Sequence, residues 1–310
     1  MSNSNKNSVL SYHEPFDHRH LMDTLNHLTM RFPETGIGYL GESILGRGIP
    51  LITLGHGKKE LLYVGAHHGM EWITSILLCR FLKDFWEILF HDGSIYGIPL
   101  GQLCQSYTIY VIPMLNPDGV EYQIHGVEKN NPIYDRVLQM NQGSSDFFHW
   151  QSNARGVDLN HNYDAGFAEY KKLEQDNGIL GGAPTRYSGE APESEPEVGY
   201  LCNFIRFHEN LQGVLTLHTQ GEEIFYQSGG KTAKNAAPIA QKLSRLSGYK
   251  CSHTQGMASY GGLTDWCVQK LNLPSFTLEC GRGKNPLPIS DAFPIYAGLR
   301  RLLFTFPTMF

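Results

Sequence analysis

His68 and Glu71 lie three residues apart, directly after the apolar run at residues 61–66, in the segment LLYVGAHHGMEWI. The run predicts a buried strand, and Trp72 marks the start of a following helix. An imidazole nitrogen and a carboxylate oxygen at such a bend can reach the same side of one metal ion. A catalytic zinc site usually has three protein ligands and a water molecule. The pair therefore predicts a third ligand and a base elsewhere in the chain.

The spacing of His68 and Glu71 is a weak signal by itself, because a chain with 14 histidines contains about one such pair by chance. In the alternative interpretation, Glu71 is an acid favoured by the dipole at a helix start, and His68 is a surface neighbour. His67 precedes the pair, and adjacent strand residues point to opposite faces. We therefore interpret His67 as a residue that does not bind the metal.

Two further apolar runs end in residues of the same kinds, since residues 213–218 end in His218 and residues 274–279 end in Glu279. In an open α/β sheet the ligand cleft lies at the carboxyl ends of the strands, so these side chains are expected to share one cleft with the first pair. We interpret His68, Glu71 and His218 as the ligands of one zinc ion per chain. Glu279 is then the general base that deprotonates water and protonates a leaving amine. The pattern predicts metal-assisted amide hydrolysis; the alternative is a set of unrelated strand-end residues that face solvent.

Length, charge and cysteine usage exclude several classes of protein. The 310 residues contain no linker or repeat, and we expect a polar tail at residues 1–16 followed by one zinc peptidase domain at residues 17–310. A net charge of −5 without a basic stripe disfavours nucleic acid and membranes as partners. No segment resembles a signal peptide or a membrane span, which predicts a cytoplasmic protein. The six cysteines form no Cys-x-x-Cys pair, which predicts buried free thiols.

The elements that position the candidate residues alternate between strands and helices. Helices are predicted at residues 17–31, 72–89, 192–208, 235–246, 263–271 and 290–304, and strands within residues 37–54, 61–66, 105–113, 213–218, 224–227 and 274–279. Residues 116–191 are rich in turn formers, and only residues 164–175 are predicted to be helical there. The order predicts a single α/β domain with a mixed, mostly parallel twisted sheet flanked by helices.

Six motifs resemble those of the zinc metallocarboxypeptidases related to carboxypeptidase A. They are GAHHGMEWIT, NPDG, GVDLNHNYDAGF, LTLHT, GGLTDW and SFTLE, in the family's order from about residue 20 onwards. The resemblance implies the carboxypeptidase A fold and the same zinc ligands and base as the strand ends. It also implies that Asp158 orients the His68 ring through a hydrogen bond. The alternative for Asp158 is a loop residue that caps its own backbone.

Several positions depart from the family's pattern and bear on the substrate. The family's Asn-Arg pair holds a terminal carboxylate, but the pair here is Asn160-His161, so an imidazole replaces a permanent cation. Gln151 replaces the arginine that polarises the carbonyl, and Arg155 is the nearby candidate for that role. The family's mobile tyrosine is absent from its usual position, and Tyr260 is the nearest phenol. Asn160, His161, Arg155 and Tyr260 are therefore predicted to bind substrate.

The segments ECGRGKNPLP, LHTQGEEIFY and GVDLNHNY resemble one branch of the family, the bacterial γ-D-glutamyl-meso-diaminopimelate peptidases that cut peptidoglycan stem peptides. This resemblance implies a muropeptide substrate, and Arg282 is predicted to anchor one of its carboxylates. The alternative for Arg282 is a turn residue that holds the Gly-rich loop. No wall-binding repeat is visible, which favours action in the cytoplasm, including that of the sporulating cell.

Other functions stay open at this point. A general metallocarboxypeptidase and a deacylase of another small carboxylate fit the same chemistry. A catalytically silent, peptide-binding member of the family is the alternative from a different class, although such a protein has no need for Glu279. The sequence leaves the oligomeric state open.

Overall fold

An eight-stranded mixed sheet runs through the computed structural model, which describes residues 14–33 and 35–310. Its strands are β1 Ile37–Glu42, β2 Gly48–Gly55, β3 Lys59–Gly65, β4 Tyr107–Ile112, β5 Leu211–His218, β6 Glu223–Phe225, β7 Lys250–Cys251 and β8 Ser275–Glu279. The order of the strands in the sheet is β1-β2-β4-β3-β5-β8-β6-β7. The four central strands β4, β3, β5 and β8 are parallel, whereas β1, β2 and β6 join their neighbours on the central side by antiparallel pairing.

Helices cover both faces of this sheet. They are α1 His18–Arg31, α2 Ile73–Phe90, α3 Leu100–Ser106, α4 Pro117–His125, α5 Tyr134–Met140, α6 Phe167–Asp176, α7 Pro196–Phe207, α8 Ala236–Ser247, α9 Leu263–Trp266 and α10 Ala292–Thr305. The large apolar core on one face contains residues of α1, α2, α3, α8 and α10, and a second core on the other face contains residues of α7 and α9. The single α/β domain with a mixed, mostly parallel sheet is thus confirmed.

Strand β3 explains why the apolar run before His68 shows no alternation. Leu61 and Tyr63 lie in the core on one face of the sheet, and Leu62 and Val64 lie in the core on the other. A strand that is covered on both faces needs apolar residues at every position. The prediction of a doubly buried strand is confirmed. Because β3 is held from both faces, its carboxyl end leads the chain directly to His68.

Residues 116–191 are largely irregular, as expected, but the prediction that only residues 164–175 are helical is wrong, because α4 and α5 also lie within this segment. The motif NPDG begins a helix instead of a turn. The Asn116 side chain caps α4 by accepting a hydrogen bond of 2.9 Å from the Gly119 amide, and Pro117 occupies the first turn, where a missing N–H costs nothing. Helix α7 likewise begins at Pro196, four residues later than predicted.

Several expectations about organisation have different outcomes. The six cysteines are free, as predicted, and Cys251 is the one that is exposed. Within the described residues, no helix combines the length and apolarity needed to cross a bilayer. The predicted boundary between a tail at residues 1–16 and a domain at residues 17–310 stays a prediction, since most of that tail lies outside the described residues.

Candidate active site

Strand register brings the candidate residues to one edge of the sheet. In the parallel pair β5 and β8, Glu279 stands directly beside His218. In the parallel pair β3 and β5, Gly65 stands beside Leu217, the residue before His218. The carboxyl ends of three neighbouring strands therefore deliver these side chains to the same cleft, as the topology of an open α/β sheet requires.

The bend after β3 turns His68 and Glu71 toward each other. Ala66 has a positive φ of 46°, and its N–H donates to the Thr74 hydroxyl at 2.8 Å. His68 is extended and precedes a single helical turn at Gly69–Glu71. A side chain at Gly69 would lie 2.3 Å from the Gly119 carbonyl oxygen, so the turn requires glycine to approach α4 this closely.

Three side chains, His68, Glu71 and His218, meet at this bend, and their ligand-type atoms all lie within 4.8 Å of one another. His68 Nδ1 lies 2.9 Å from Glu71 Oε1, and His218 Nδ1 lies 3.0 Å from Glu71 Oε2. Bonds of about 2.0–2.1 Å in a tetrahedral zinc site place two donors about 3.3 Å apart. Side-chain shifts of a few tenths of an ångström would open the group to that size. Two imidazoles and one carboxylate are also a donor set that zinc accepts in catalytic sites.

The electrostatics of the group favour a bound cation. Burial alone would raise the pKa of Glu71, but the adjacent His68 and His218 hold it at about 2. Burial also opposes the protonation of His68, yet the Glu71 and Asp158 carboxylates hold the pKa of its imidazole well above the usual value. Two buried carboxylates thus face one imidazole, and such a negative site gains stability from a positive ion.

Asp158 lies behind His68 in the position predicted for an orienting carboxylate. Its Oδ1 is 3.0 Å from His68 Nε2, which leaves Nδ1 as the nitrogen that faces Glu71. The Arg186 and Asn160 amides donate to the carboxylate at 3.0 and 3.2 Å. A carboxylate held by two backbone amides can fix both the tautomer and the direction of the imidazole.

Glu279 lines a cavity of about 150 Å³ that His68 of the donor group also lines. Burial raises the pKa of its carboxyl well above the usual value, and the nearby Glu71 carboxylate adds to the effect. Its carboxyl group has no hydrogen-bond partner within the described ranges, so it is available to a water molecule or substrate. The cavity walls come mainly from residues far along the chain: Asn160, His161, Phe225, Gln227, Thr254, Ala258, Gly262, Thr264, Asp265 and Thr277.

Two of the predicted substrate-binding residues line this cavity, namely Asn160 and His161. The Asn160 side-chain oxygen accepts from the Leu263 amide at 3.2 Å. The His161 ring is buried against Tyr170. Tyr260 contributes its backbone carbonyl, which lies 2.8 Å from His161 Nδ1, whereas its ring packs against Gly166.

The two predicted arginines lie outside the cavity walls. Arg155 is half-exposed and lies 3.7 Å from Glu195, in a separate groove beside α7. Arg282 is exposed over 75% of its side chain and pairs with Glu222 at 2.6 Å. His67 is buried, and its Nε2 lies 3.1 Å from the Tyr163 hydroxyl. His67 is therefore not one of the three residues of the donor group.

Sequence reasoning missed the polar floor of the cavity. The Thr264 hydroxyl bonds to Thr277 and to Ser275 at 2.9 Å each, and Asp265 accepts from the Gly262 amide at 3.2 Å. The signal was present in the motif GGLTDW, which contains two glycines and the polar pair Thr264 and Asp265. The strand SFTLE also carries Thr277 two residues before Glu279, on the same face of β8.

A second group with ligand-type atoms is formed by Asp17, Glu121 and His125. Asp17 caps α1 through the His20 amide at 2.8 Å, and the rings of His20 and His125 lie 2.8 and 2.9 Å from its two oxygens. Both Asp17 oxygens therefore have donors already. We interpret the group as a helix cap that ties α1 to α4.

A buried acid supports the loop that leads to Asp158. Asn153 accepts from the Arg155 and Val157 amides at 3.0 and 3.1 Å and donates to Glu195 at 2.8 Å. Glu197 lies beside it, and one of its oxygens is buried without a partner among the described residues. Burial, assisted by nearby carboxylates, raises the pKa of Glu197 to about 8.

Glu197→Gln is expected to stabilise the protein at pH 8. Between the ordinary pKa of 4.5 and the raised value of about 8, the folded state keeps a proton that the unfolded state releases. The free energy of unfolding therefore falls as the pH rises through this window. Removing the charge should add roughly 1–3 kcal/mol at pH 8 and flatten the slope. Urea melts between pH 5 and 9 measure it. Glu195→Gln is the control, because the partnered Glu195 should lose stability at all these pH values.

The sequence of this chain is similar to those of known zinc carboxypeptidases and their relatives. The model of the zinc carboxypeptidase family matches residues 21–297. The chain is 34% identical to γ-D-glutamyl-L-diamino acid endopeptidase 1 of Lysinibacillus sphaericus, over 91% of this chain and 69% of that protein. It is 30% identical to the protein YqgT of Bacillus subtilis, over 86% of this chain and 70% of that one.

Solved structures agree with the fold. The structure of thrombin-activatable fibrinolysis inhibitor superimposes with a TM-score of 0.72 and 18% identity, over 97% of this chain and 76% of that one. The carboxypeptidase A-like fold predicted from the sequence is thus confirmed. The match to the family model covers most of the chain, and a fitting donor group lies where the sequence places it. This chain therefore belongs to the zinc carboxypeptidase family and is a zinc metallopeptidase.

Proposed function

We propose that the enzyme hydrolyses the amide bond between γ-D-glutamate and meso-diaminopimelate in peptidoglycan stem peptides. The observation that carries the proposal is the 34% identity, over 91% of this chain, to an enzyme named for cleavage between γ-D-glutamate and an L-diamino acid. Of the segments that suggested this branch, the one around Asn160 lines the cavity, and the one that begins at Glu279 contributes Glu279 itself. The substrate is then a muropeptide, and a cytoplasmic location stays a prediction that cell fractionation can test.

In this proposal His68, Glu71 and His218 hold the zinc ion. Asp158 keeps the His68 ring in the orientation in which Nδ1 faces the ion, and the Arg186 and Asn160 amides keep Asp158 in place. When bound, zinc supplies Lewis acidity, which lowers the pKa of water and polarises the scissile carbonyl. The remaining steps belong to side chains of the protein.

Glu279 is proposed to remove the proton from the attacking water and to deliver it to the leaving nitrogen. Its raised pKa suits this role, because a carboxylate with a low pKa would hold the proton too briefly to deliver it to the leaving nitrogen. Register with His218 places it beside the ligands through the backbone of two adjacent strands. The leaving residue must therefore lie in the cavity that Glu279 lines, while the γ-glutamyl part lies on the other side of the scissile bond.

Arg282 is proposed to bind the side-chain carboxylate of diaminopimelate at the rim. Arg282→Ala should raise KM for diaminopimelate peptides about tenfold or more, because a charge-assisted hydrogen bond contributes about 1.5–3 kcal/mol. Its effect on stability should be small, since its pairing with Glu222 is solvent-exposed. Steady-state kinetics with a melting curve test both. Arg245→Ala, on the exposed side of α8, is the matched control. A lower melting temperature with unchanged KM would support a purely structural Arg282.

Metal content and product analysis test the proposal as a whole. Purified enzyme is assayed for zinc and incubated with L-Ala-γ-D-Glu-meso-diaminopimelate and with an ordinary C-terminal dipeptide. One zinc per chain and cleavage of the γ-linked peptide alone are expected. Cleavage of the ordinary peptide alone would favour a general carboxypeptidase. Zinc without any cleavage would favour a deacylase or a silent binding protein, although a pure binder would not need Glu279.

A further inference from the structure

His161 is held in a single tautomer at the edge of the active-site cavity. Its Nδ1 lies 2.8 Å from the backbone carbonyl oxygen of Tyr260. A carbonyl oxygen can only accept, so Nδ1 must carry the hydrogen and donate it. In the neutral ring Nε2 is then an acceptor with a free lone pair. No hydrogen-bond partner of Nε2 occurs in residues 14–33 and 35–310, and the ring lines the cavity beside Glu279.

The surroundings of His161 keep the ring neutral. It stacks on Tyr170 with the ring centroids 4.0 Å apart and the planes 11° from parallel. Burial lowers the pKa of the imidazole in spite of the opposing charge of Asp158. The side chain is therefore a fixed hydrogen-bond acceptor, and it cannot act as the cation that a carboxylate requires.

The rest of the cavity offers no replacement cation. Among the described residues that line it, none is a lysine or arginine, and its two acids, Asp265 and Glu279, offer no positive charge. The Asp265 side chain accepts from the Gly262 amide and forms no ion pair in the described part of the chain. A free carboxylate placed against these walls would find neutral donors such as the Asn160 and Gln227 amides but no cation, so its charge would be desolvated without a counterion.

Covalent distance decides which group of the leaving residue reaches His161. The α-carbonyl carbon is only two bonds from the leaving nitrogen, whereas the end of a long side chain is several bonds farther. His161 lines the same cavity as His68 and Glu279, the proposed ligand and base. The group that follows the α-carbon of the leaving residue is therefore the one expected to approach the ring.

We propose that His161 accepts a hydrogen bond from an amide N–H attached to the α-carbonyl of the leaving residue, so that the enzyme prefers substrates that continue or are amidated at this point. This inference rests on the proposed function. It deepens it by assigning to His161 the recognition of the group attached to the α-carbonyl of the leaving residue. His161 is then a specificity-determining residue.

Matched peptides test the inference directly. L-Ala-γ-D-Glu-meso-diaminopimelate is prepared with a free α-carboxylate, as the α-methylamide, and extended by D-alanine. The wild type should cleave the methylamide and the extended peptide with kcat/KM about tenfold higher than the free acid, chiefly through KM. A preference for the free acid would overturn the proposal.

Two substitutions separate recognition from structure. His161→Phe keeps a ring that can stack on Tyr170 but lacks the acceptor, so the ratio of kcat/KM for the methylamide to kcat/KM for the free acid should fall about tenfold. His161→Arg should reverse the preference toward the free acid. Equal losses on all three peptides in His161→Phe, together with a lower melting temperature, would show that the ring has only a structural role.

The test also distinguishes a failure of the proposed function. If no γ-linked peptide is cleaved, the same comparison of acid and methylamide is made on an ordinary α-linked N-acyl dipeptide. If neither scaffold is turned over, Kd values for the acid and the methylamide are measured calorimetrically. The acid-to-amide ratio and its response to His161→Phe decide the inference in each case.

Discussion

Glu279→Gln is expected to abolish turnover while the enzyme keeps its zinc and its fold. Glutamine has the same shape but cannot accept the proton of the attacking water, and the loss of a general base costs about 10²–10⁴-fold in kcat. The donor group does not include Glu279, so the zinc content should stay at one per chain. Substituting a buried carboxyl whose pKa is raised should also leave stability equal or higher.

Kinetics on the γ-linked peptide, zinc analysis and a melting curve check this result. Glu223→Gln is the matched control, because Glu223 stands beside Glu279 on strand β6 and bonds to the Ser252 hydroxyl at 2.7 Å. The control should retain activity within a few fold. Wild-type turnover in Glu279→Gln would remove this residue from the mechanism.

His218→Ala should lose the zinc ion and with it the activity. Two protein ligands would remain where a catalytic site normally has three. The Glu71 carboxylate would also lose the partner that lies 3.0 Å away in the buried donor group. Zinc should be stripped by a weak chelator that leaves the wild type loaded, and kcat should drop to background. Metal analysis after dialysis, with activity measured on the same samples, gives the result.

Asp158→Asn supplies a graded comparison for that experiment. Asp158 contacts His68 at Nε2, the ring nitrogen that faces away from the donor group. Loss of the Asp158 charge should therefore weaken zinc binding by about 10–100-fold without abolishing it. A His218→Ala protein that still holds one zinc per chain after dialysis would contradict the proposed ligand set. Equal behaviour of the two variants would mean that His218 has no larger part in metal binding than Asp158.

The candidate site could be predicted largely because its residues stand at the ends of apolar strands. The run before His68 is continuously apolar, which indicates a strand buried on both faces, and the runs before His218 and Glu279 are short and mainly apolar. The position of the cleft then follows from the sheet itself. The helix α4 was missed because its ends use Asn116, Pro117 and Gly126, residue types that equally indicate turns. The helix α5 was missed because it has only seven residues and lies between the turn formers of residues 130–132 and 141–143.

The state of His161 could not be predicted from sequence. It depends on a carbonyl group 99 positions away in the chain and on a ring that stacks from α6. The same limit applies to the arginines, since Arg155 and Arg282 are near the site in sequence but their side chains lie outside the cavity walls. Contacts of this kind depend on how loops fold back over the sheet, and no local pattern records them.

The pairing of His218 with Glu279 allows the residues that carry out the reaction and the residues that select the substrate to change independently. Their spacing is set by the backbone ladder between β5 and β8, so it does not depend on the length or content of the chain between these strands. That intervening stretch, residues 219–274, carries several cavity-wall residues, among them Gln227, Thr254 and Asp265. Insertions or substitutions there can reshape the binding pocket while the reacting groups keep their places. A lineage can therefore acquire new substrates on this scaffold without rebuilding its catalytic centre.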